Sequence, residues 1–177
     1  VRHKPTDVPY ALKCMRKGQI IAMQQVAHVM NEKNLLEMCD HPFLLSLVAS
    51  FQDEREIYMV FDLILGGELF SYLRKAKRFD LESSQFYCAC VASAFTYLHE
   101  RKIIYRDLKP ENVLLDARGY VKLADLGYAK KIAKGESRTF TQCGTEEYAP
   151  PELLHGRGRT FAADWWGLGV LLYELLL

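Results

Sequence analysis

Asp107, Lys109 and Asn112 lie within Tyr105-Arg106-Asp107-Leu108-Lys109-Pro110-Glu111-Asn112, and Asp125 follows eighteen residues after Asp107 in Asp125-Leu126-Gly127. An acid, a lysine, an amide and a second acid form a set suited to phosphoryl transfer. Asp107 can accept a proton from a hydroxyl, and Lys109 can neutralise a phosphate. Asn112 and Asp125 offer hard oxygen ligands for Mg²⁺, which usually keeps waters and substrate phosphates as its other ligands. The set works only if its members meet. Residues 113–116 and 120–123 read as short strands joined through Ala117-Arg118-Gly119. A tight hairpin brings its ends together, so Asn112 and Asp125 are expected to share one site. The bland alternative for either motif alone is a loop with solvated acids and a turn glycine.

The remaining elements must position that set. Residues 9–15 alternate and read as a strand carrying Lys13. Residues 22–39 read as a helix with His28, Glu32 and Leu36 on one face, and Glu32 follows Lys13 by nineteen residues. His41-Pro42-Phe43 ends that helix; residues 44–51 and 56–61 read as strands around the turn Gln52-Asp53-Glu54-Arg55. Asp62-Leu63-Ile64-Leu65-Gly66-Gly67-Glu68 reads as an inter-element turn. Residues 69–75 predict a short helix and 82–100 a long one, with Phe86, Ala89, Cys90, Ala94 and Tyr97 as core and Ser83 and Ser84 near its start to cap it. Residues 128–152 are polar and rich in hydroxyls, with Ser137, Thr139, Thr141 and Thr145, and residues 155–159 read as a Gly- and Arg-rich loop. Asp164 opens a terminal helix, where an N-cap role is one plain reading.

Bulk properties narrow the class. A chain of 177 residues, 50% hydrophobic and 25% charged, suits a globular protein with a substantial core. A net charge of +1 gives no field that favours nucleic acid or an anionic membrane. The longest apolar run, residues 165–177, is too short to span a bilayer and contains Glu174, so a buried core helix is expected. No N-terminal signal pattern is visible. The five cysteines form no C-x-x-C pair, so reduced thiols in a cytoplasmic protein are expected.

Taken together, the two motifs resemble the catalytic loop and metal-binding turn of the serine/threonine protein kinases, with Tyr105 where many have His and Asp125-Leu126-Gly127 where they have Asp-Phe-Gly. The resemblance covers essentially the whole chain. It implies an α+β, two-lobed protein kinase fold truncated at both ends: residues 1–62 as part of the small lobe, 63–67 as hinge and 68–177 as part of the large lobe. It implies ATP and Mg²⁺ as cofactors. By the match, Tyr10-Ala11-Leu12-Lys13 places Lys13 on the α- and β-phosphates, and Glu32 is its ion-pair partner. The Asp62 carbonyl and Ile64 amide would read adenine beside Phe61, and Leu36, Leu47, Leu126 and Tyr105 match the hydrophobic regulatory spine. Asp164 matches a buried acid that holds the catalytic-loop backbone, and Thr145 would bond near Asp107.

Gly66-Gly67-Glu68 and Cys143-Gly144-Thr145 are similar to the cyclic-nucleotide-dependent kinases, and Phe86-Tyr87-Cys88-Ala89-Cys90-Val91 leans towards the cyclic-GMP type. Within that group, Glu68, Glu111 and Glu174 match acids that bind arginines upstream of the target residue. Thr141 matches a phosphorylated threonine, with His28, Arg106 and Lys130 as its basic partners; an unmodified loop hydroxyl is the alternative. The resemblance therefore implies a protein substrate with Ser or Thr near basic residues, an upstream activating kinase, and a cyclic-nucleotide-binding regulatory domain elsewhere in the full-length chain.

Four departures stand out. Leu126 replaces Phe, Glu146 replaces a Pro, Pro150-Pro151-Glu152 replaces Ala-Pro-Glu, and the chain opens after the expected position of a Gly-rich phosphate loop. It also stops before the usual Arg partner of Glu152. A rival expectation is therefore a catalytically inert fragment or pseudokinase that binds partners, and the isolated 177-residue chain is expected to be inactive. Against the pseudokinase, every polar catalytic residue of this window is present.

Overall fold

A computed structural model describes residues 1–133, 135–141 and 143–177, with every side chain among them except that of Leu154. The first part is a three-stranded antiparallel sheet in the order β1-β3-β2, made of β1 (Tyr10–Arg16), β2 (Leu47–Gln52) and β3 (Glu56–Asp62). Its register sets Lys13 opposite Met59, which is fully buried. A bulge between Leu47 and Ala49 bends β2 where it leaves the helical connection. The turn between β2 and β3 is fixed by Asp53, whose Oδ1 accepts from the amides of Arg55 and Glu56 at 2.7 Å each.

The helix expected over 22–39 begins four residues later, as α2 (Val26–Met38), and is preceded by a short helix that the sequence reading did not include, α1 (Lys17–Ala22). Gln24, at φ 54°, turns the chain between them. No Gly or Pro marks the break, which is why periodicity alone ran through it. The strand expected from 44 starts later, at Leu47, because the segment before it pairs elsewhere. The Leu45 amide donates to the Leu123 carbonyl at 3.0 Å, and the Leu123 amide donates to Phe43 at 2.8 Å.

Those bonds tie the first part to the hairpin β5 (Val113–Leu115) and β6 (Val121–Leu123), paired with Val113 opposite Leu123. On the other strand of the hairpin, the Gly66 amide donates to Leu115 at 2.9 Å and the Leu115 amide to Gly67 at 2.8 Å. A Cβ at Gly66 would overlap the Leu115 carbonyl oxygen, and Gly67 has φ 75°, so this close approach requires the glycine pair. The hairpin is thus held between the Gly66-Gly67 pair and the segment after α2.

The second part is mainly helical, with α3 (Leu69–Ala76), α4 (Leu81–Glu100), α5 (Pro151–Leu154) and α6 (Ala162–Leu176). A pair of short strands, β4 (Ile103–Ile104) and β7 (Lys130–Lys131), flanks the hairpin in sequence. Asp80 caps α4 by accepting from the Ser83 amide at 2.7 Å, so the cap is Asp80 rather than Ser83 or Ser84. The buried stripe of α4 is Cys90, Val91, Ala94, Phe95 and Leu98. Phe86 and Ala89, expected in the core, face solvent because the stripe is rotated by about one position. Likewise α6 buries Leu171 and Leu175 completely, yet Trp165 and Trp166 are 42% and 48% exposed, so the expected core helix is buried on one stripe only. Among the described residues, no helix is long and apolar enough to cross a membrane. Leu36, Leu126 and Tyr105 are buried in one hydrophobic cluster, with Leu47 packed against it.

Candidate active site

The loop of residues 105–112 hangs from Asp164. This carboxylate accepts the Tyr105 amide at 2.8 Å through Oδ2 and the Arg106 amide at 2.9 Å through Oδ1. His99 Nε2 lies 2.7 Å from Oδ2. Asp164 is 3% exposed, and the N-cap position of α6 belongs to Phe161, so the loop-anchor role replaces the capping reading. Holding two successive amides forces Arg106 into φ 73°, an uncommon conformation for a residue with a side chain. Asp125, at φ 54°, is the second such residue of the site. Backbone strain of this kind persists only where surrounding bonds over-determine it.

Asp107 follows the anchored turn and is buried, 3% exposed. Its Oδ1 accepts from the Thr145 hydroxyl at 3.1 Å, and its Oδ2 from the Asn112 amide at 2.9 Å. The Lys109 ammonium lies 3.4 Å from Oδ2 and is about one-third exposed. The two partners fix the carboxylate plane while one lysine arm stays open to solvent.

The hairpin brings the Asn112 backbone beside Ala124, the residue before Asp125. The Ala124 amide donates to the Asn112 carbonyl at 2.8 Å, extending the β5–β6 ladder by one pair. Asn112 Nδ2 also donates to the Asp107 carbonyl at 2.8 Å, which turns its amide oxygen the other way. Asp125 Oδ1 accepts from the Gly127 amide at 2.9 Å and leaves Oδ2 free of any protein donor among the described residues. No group of three or more His, Cys, Asp or Glu side chains forms a metal cage among the described residues. One amide oxygen and one carboxylate fit a small hard cation that brings phosphate and water ligands with it, and do not fit a closed protein site.

Lys13 Nζ bonds Glu32 Oε1 at 2.7 Å, joining β1 to α2. Asp62 ends β3 opposite Tyr10, and Ile64 follows in the segment before the glycine pair. Tyr105 donates its hydroxyl to the Ala124 carbonyl at 2.6 Å; complete burial holds its proton on well above the usual tyrosine range.

The acids assigned to substrate binding are split. Glu111 and Glu174 line one groove of about 850 Å³ with Glu147 and Tyr148, and the Tyr148 hydroxyl donates to Glu174. Glu68 stands apart, at the start of α3, where its backbone bridges Leu114. The four residues assigned to regulation are also only partly gathered. Lys130 and Thr141 line one groove of about 470 Å³. His28 meets the Tyr128 ring edge-on at 5.0 Å. Arg106 gives Nε to the Tyr128 carbonyl at 2.6 Å and Nη1 to the Thr139 hydroxyl at 3.3 Å, so its acceptor here is Thr139 rather than the exposed Thr141. Burial, above all, lowers the Arg106 pKa from its ordinary value.

Arg159 has no counterpart in the sequence reading, which saw only a Gly- and Arg-rich loop. It is 4% exposed and donates to the Arg106 carbonyl at 2.9 Å and the Cys143 carbonyl at 2.5 Å. Its one local signal is the alternation Gly156-Arg157-Gly158-Arg159, which does not distinguish the buried arginine from the exposed one.

Comparison with known proteins matches the protein kinase domain model over residues 1–177. The chain is 49% identical to human cGMP-dependent protein kinase 2 over 99% of its length, covering 23% of that protein. It is 44% identical to the cAMP-dependent protein kinase catalytic subunit of Dictyostelium discoideum over 94% of its length, covering 25% of that relative. A Drosophila melanogaster cGMP-dependent protein kinase, isozyme 2 forms cD5/T2, is 50% identical over 94% of the chain and 18% of its own length. The chain therefore spans about a quarter or less of these curated relatives.

Proposed function

The chain belongs to the protein kinase family, and from that premise we propose that the full-length protein phosphorylates serine and threonine hydroxyls of protein substrates with Mg-ATP. The observation that carries this reading is the Asp107 carboxylate, held by Thr145 and Asn112 with Lys109 beside it. Asp107 takes the proton of the attacking hydroxyl, and the Lys109 ammonium offsets charge on the phosphoryl group in transfer. The Asn112 amide oxygen and the Asp125 carboxylate would hold Mg²⁺, which would supply charge neutralisation of the phosphates there. Lys13, steadied by Glu32, binds the remaining phosphates, and the backbone at Asp62 and Ile64 would read the adenine edge. The similarity to cAMP- and cGMP-dependent kinases and the Glu111–Glu174 groove support a substrate with arginines before the target residue, with Glu68 contributing from α3.

Regulation belongs to the same proposal. Phosphorylation of Thr141 by an upstream kinase would place a dianion in the groove that holds Lys130, within the segment that His28 and Arg106 border. A cyclic-nucleotide-binding domain elsewhere in the full-length chain is proposed from the relatives' names alone. Five free cysteines support a cytoplasmic setting. The test is direct: full-length protein with Mg-ATP and a peptide carrying arginines before a serine is expected to phosphorylate that serine, read by mass spectrometry. A protein that binds Mg-ATP but labels no Ser or Thr peptide overturns the reading.

A further inference from the structure

We propose that Arg159 is a positioning residue that sets the distance between the Thr145 hydroxyl and the Asp107 carboxylate. The observation is a buried guanidinium that joins two backbone segments and has no carboxylate partner among the described salt bridges. Nη1 holds the carbonyl of Arg106, the residue before Asp107, and Nη2 holds the carbonyl of Cys143, two residues before Thr145. Thr145 in turn donates to Asp107 at 3.1 Å, which closes a ring from Arg159 through both segments to the base. Arg159 is itself fixed by a backbone pair with Thr139, whose amide donates to its carbonyl at 2.9 Å while its own amide donates back at 2.7 Å.

Three features show that the side chain acts through this ring rather than on a ligand. The adjoining cavity, lined by Arg106, Leu108, Thr145, Tyr148, Arg159 and Asp164 among others, is only about 20 Å³, enough for one water and too small for a phosphate. Nε is buried with no acceptor among the described residues, so the fold accepts one unmade bond to keep the two terminal nitrogens on their carbonyls. Gly144 lies between the clamped Cys143 and Thr145; a Cβ there would overlap the Arg106 carbonyl oxygen and come within 3.2 Å of Arg159 Nη1. The chain thus passes close to the clamp, where only glycine fits. The planar fork suits two carbonyls at once, whereas a lysine ammonium is a point charge without that fixed geometry.

Two measurements on the full-length protein test this, and the first does not depend on the kinase reading. In Arg159→Lys, hydrogen exchange of residues 143–148 is expected to quicken at least tenfold while α4 keeps its wild-type protection. Unchanged exchange, or equal acceleration throughout the protein, overturns the proposal, the latter by showing a merely structural role. The second rests on the proposed activity. Arg159→Lys is expected to lower kcat for a peptide about tenfold with the KM for ATP unchanged, and to cause no further fall in a Thr145→Val background. Independent, multiplying effects of the two substitutions overturn it. Wild-type protein that phosphorylates no peptide sinks the kinase reading, and exchange then decides Arg159 alone.

Discussion

Glu32 on α2 meets Lys13 on β1 at 2.7 Å, with the glutamate side chain 6% exposed and the lysine side chain 41% exposed. The buried acid is the fixed member and the lysine the one that reaches outward. An arrangement of this kind positions a cation at a ligand site, since its ammonium keeps an open side. The pair closes nineteen residues of sequence, including the helix break at Gln24.

Glu32→Gln keeps a hydrogen-bonding oxygen but removes the charge that orients Lys13. Bonds to charged groups contribute roughly 1.5–3 kcal/mol, so peptide kcat/KM is expected to fall about ten- to hundredfold. Steady-state kinetics with varied Mg-ATP checks this. Wild-type kinetics in the variant would mean that the pair is only a link between β1 and α2.

Asp107→Asn should reduce kcat by about 10²–10⁴-fold while leaving Mg-ATP affinity close to wild type. The asparagine retains the shape of the carboxylate and loses the basic oxygen. Calorimetric titration with Mg-ATP and single-turnover phosphorylation separate the two effects. Retention of turnover would remove Asp107 from proton transfer.

How much of this was legible in sequence depended on where each constraint lies. The approach of Asn112 to Ala124, next to Asp125, was readable because its cause is local: Asp116 Oδ1 takes the Arg118 and Tyr120 amides at 2.8 and 2.9 Å, and Gly119 turns at φ 86°. The Glu32–Lys13 pair was readable only through the family spacing. The break at Gln24 carried no breaker residue, and the β2 start was misplaced because Leu45 finds its partner in Leu123, far along the chain. Arg159 was missed for a deeper reason. Its role comes from tertiary burial between two loops, and no local pattern distinguishes it from Arg157.

Asp164→Ala removes the acceptor of two neighbouring amides and of His99. Each of the two amides left unpaired costs about 1–3 kcal/mol, so a loss of roughly 2–6 kcal/mol is expected. That is a large part of a domain's net stability, about 5–15 kcal/mol. Asp164→Asn retains one oxygen and should lose about half as much. Urea denaturation measures both, and near-wild-type midpoints would show that the anchored turn holds Arg106 at φ 73° without Asp164.

Tyr148 provides the pH-dependent test. Burial first, and then its bond to Glu174, raise its pKa above the ordinary tyrosine value of 10.0. For a folded pKa above the unfolded one, the stabilising contribution is full below the unfolded pKa and is lost only as pH rises towards the folded one. The stability difference between wild type and Tyr148→Phe should therefore be flat from about pH 6 to 9 and shrink above about pH 10. The same hydroxyl holds Glu174 in the groove it shares with Glu111. Losing one hydrogen bond to a carboxylate, about 1.5–3 kcal/mol, frees Glu174 to turn away, and part of that cost should appear as weaker binding of an arginine-containing peptide. The KM for such a peptide should rise several-fold, while a peptide with alanine at the upstream positions is unaffected. Thermal melts across pH and paired peptide kinetics check the two arms. A variant that weakens both peptides equally would show that Tyr148 supports residues 143–152 as a whole rather than the groove of Glu111 and Glu174.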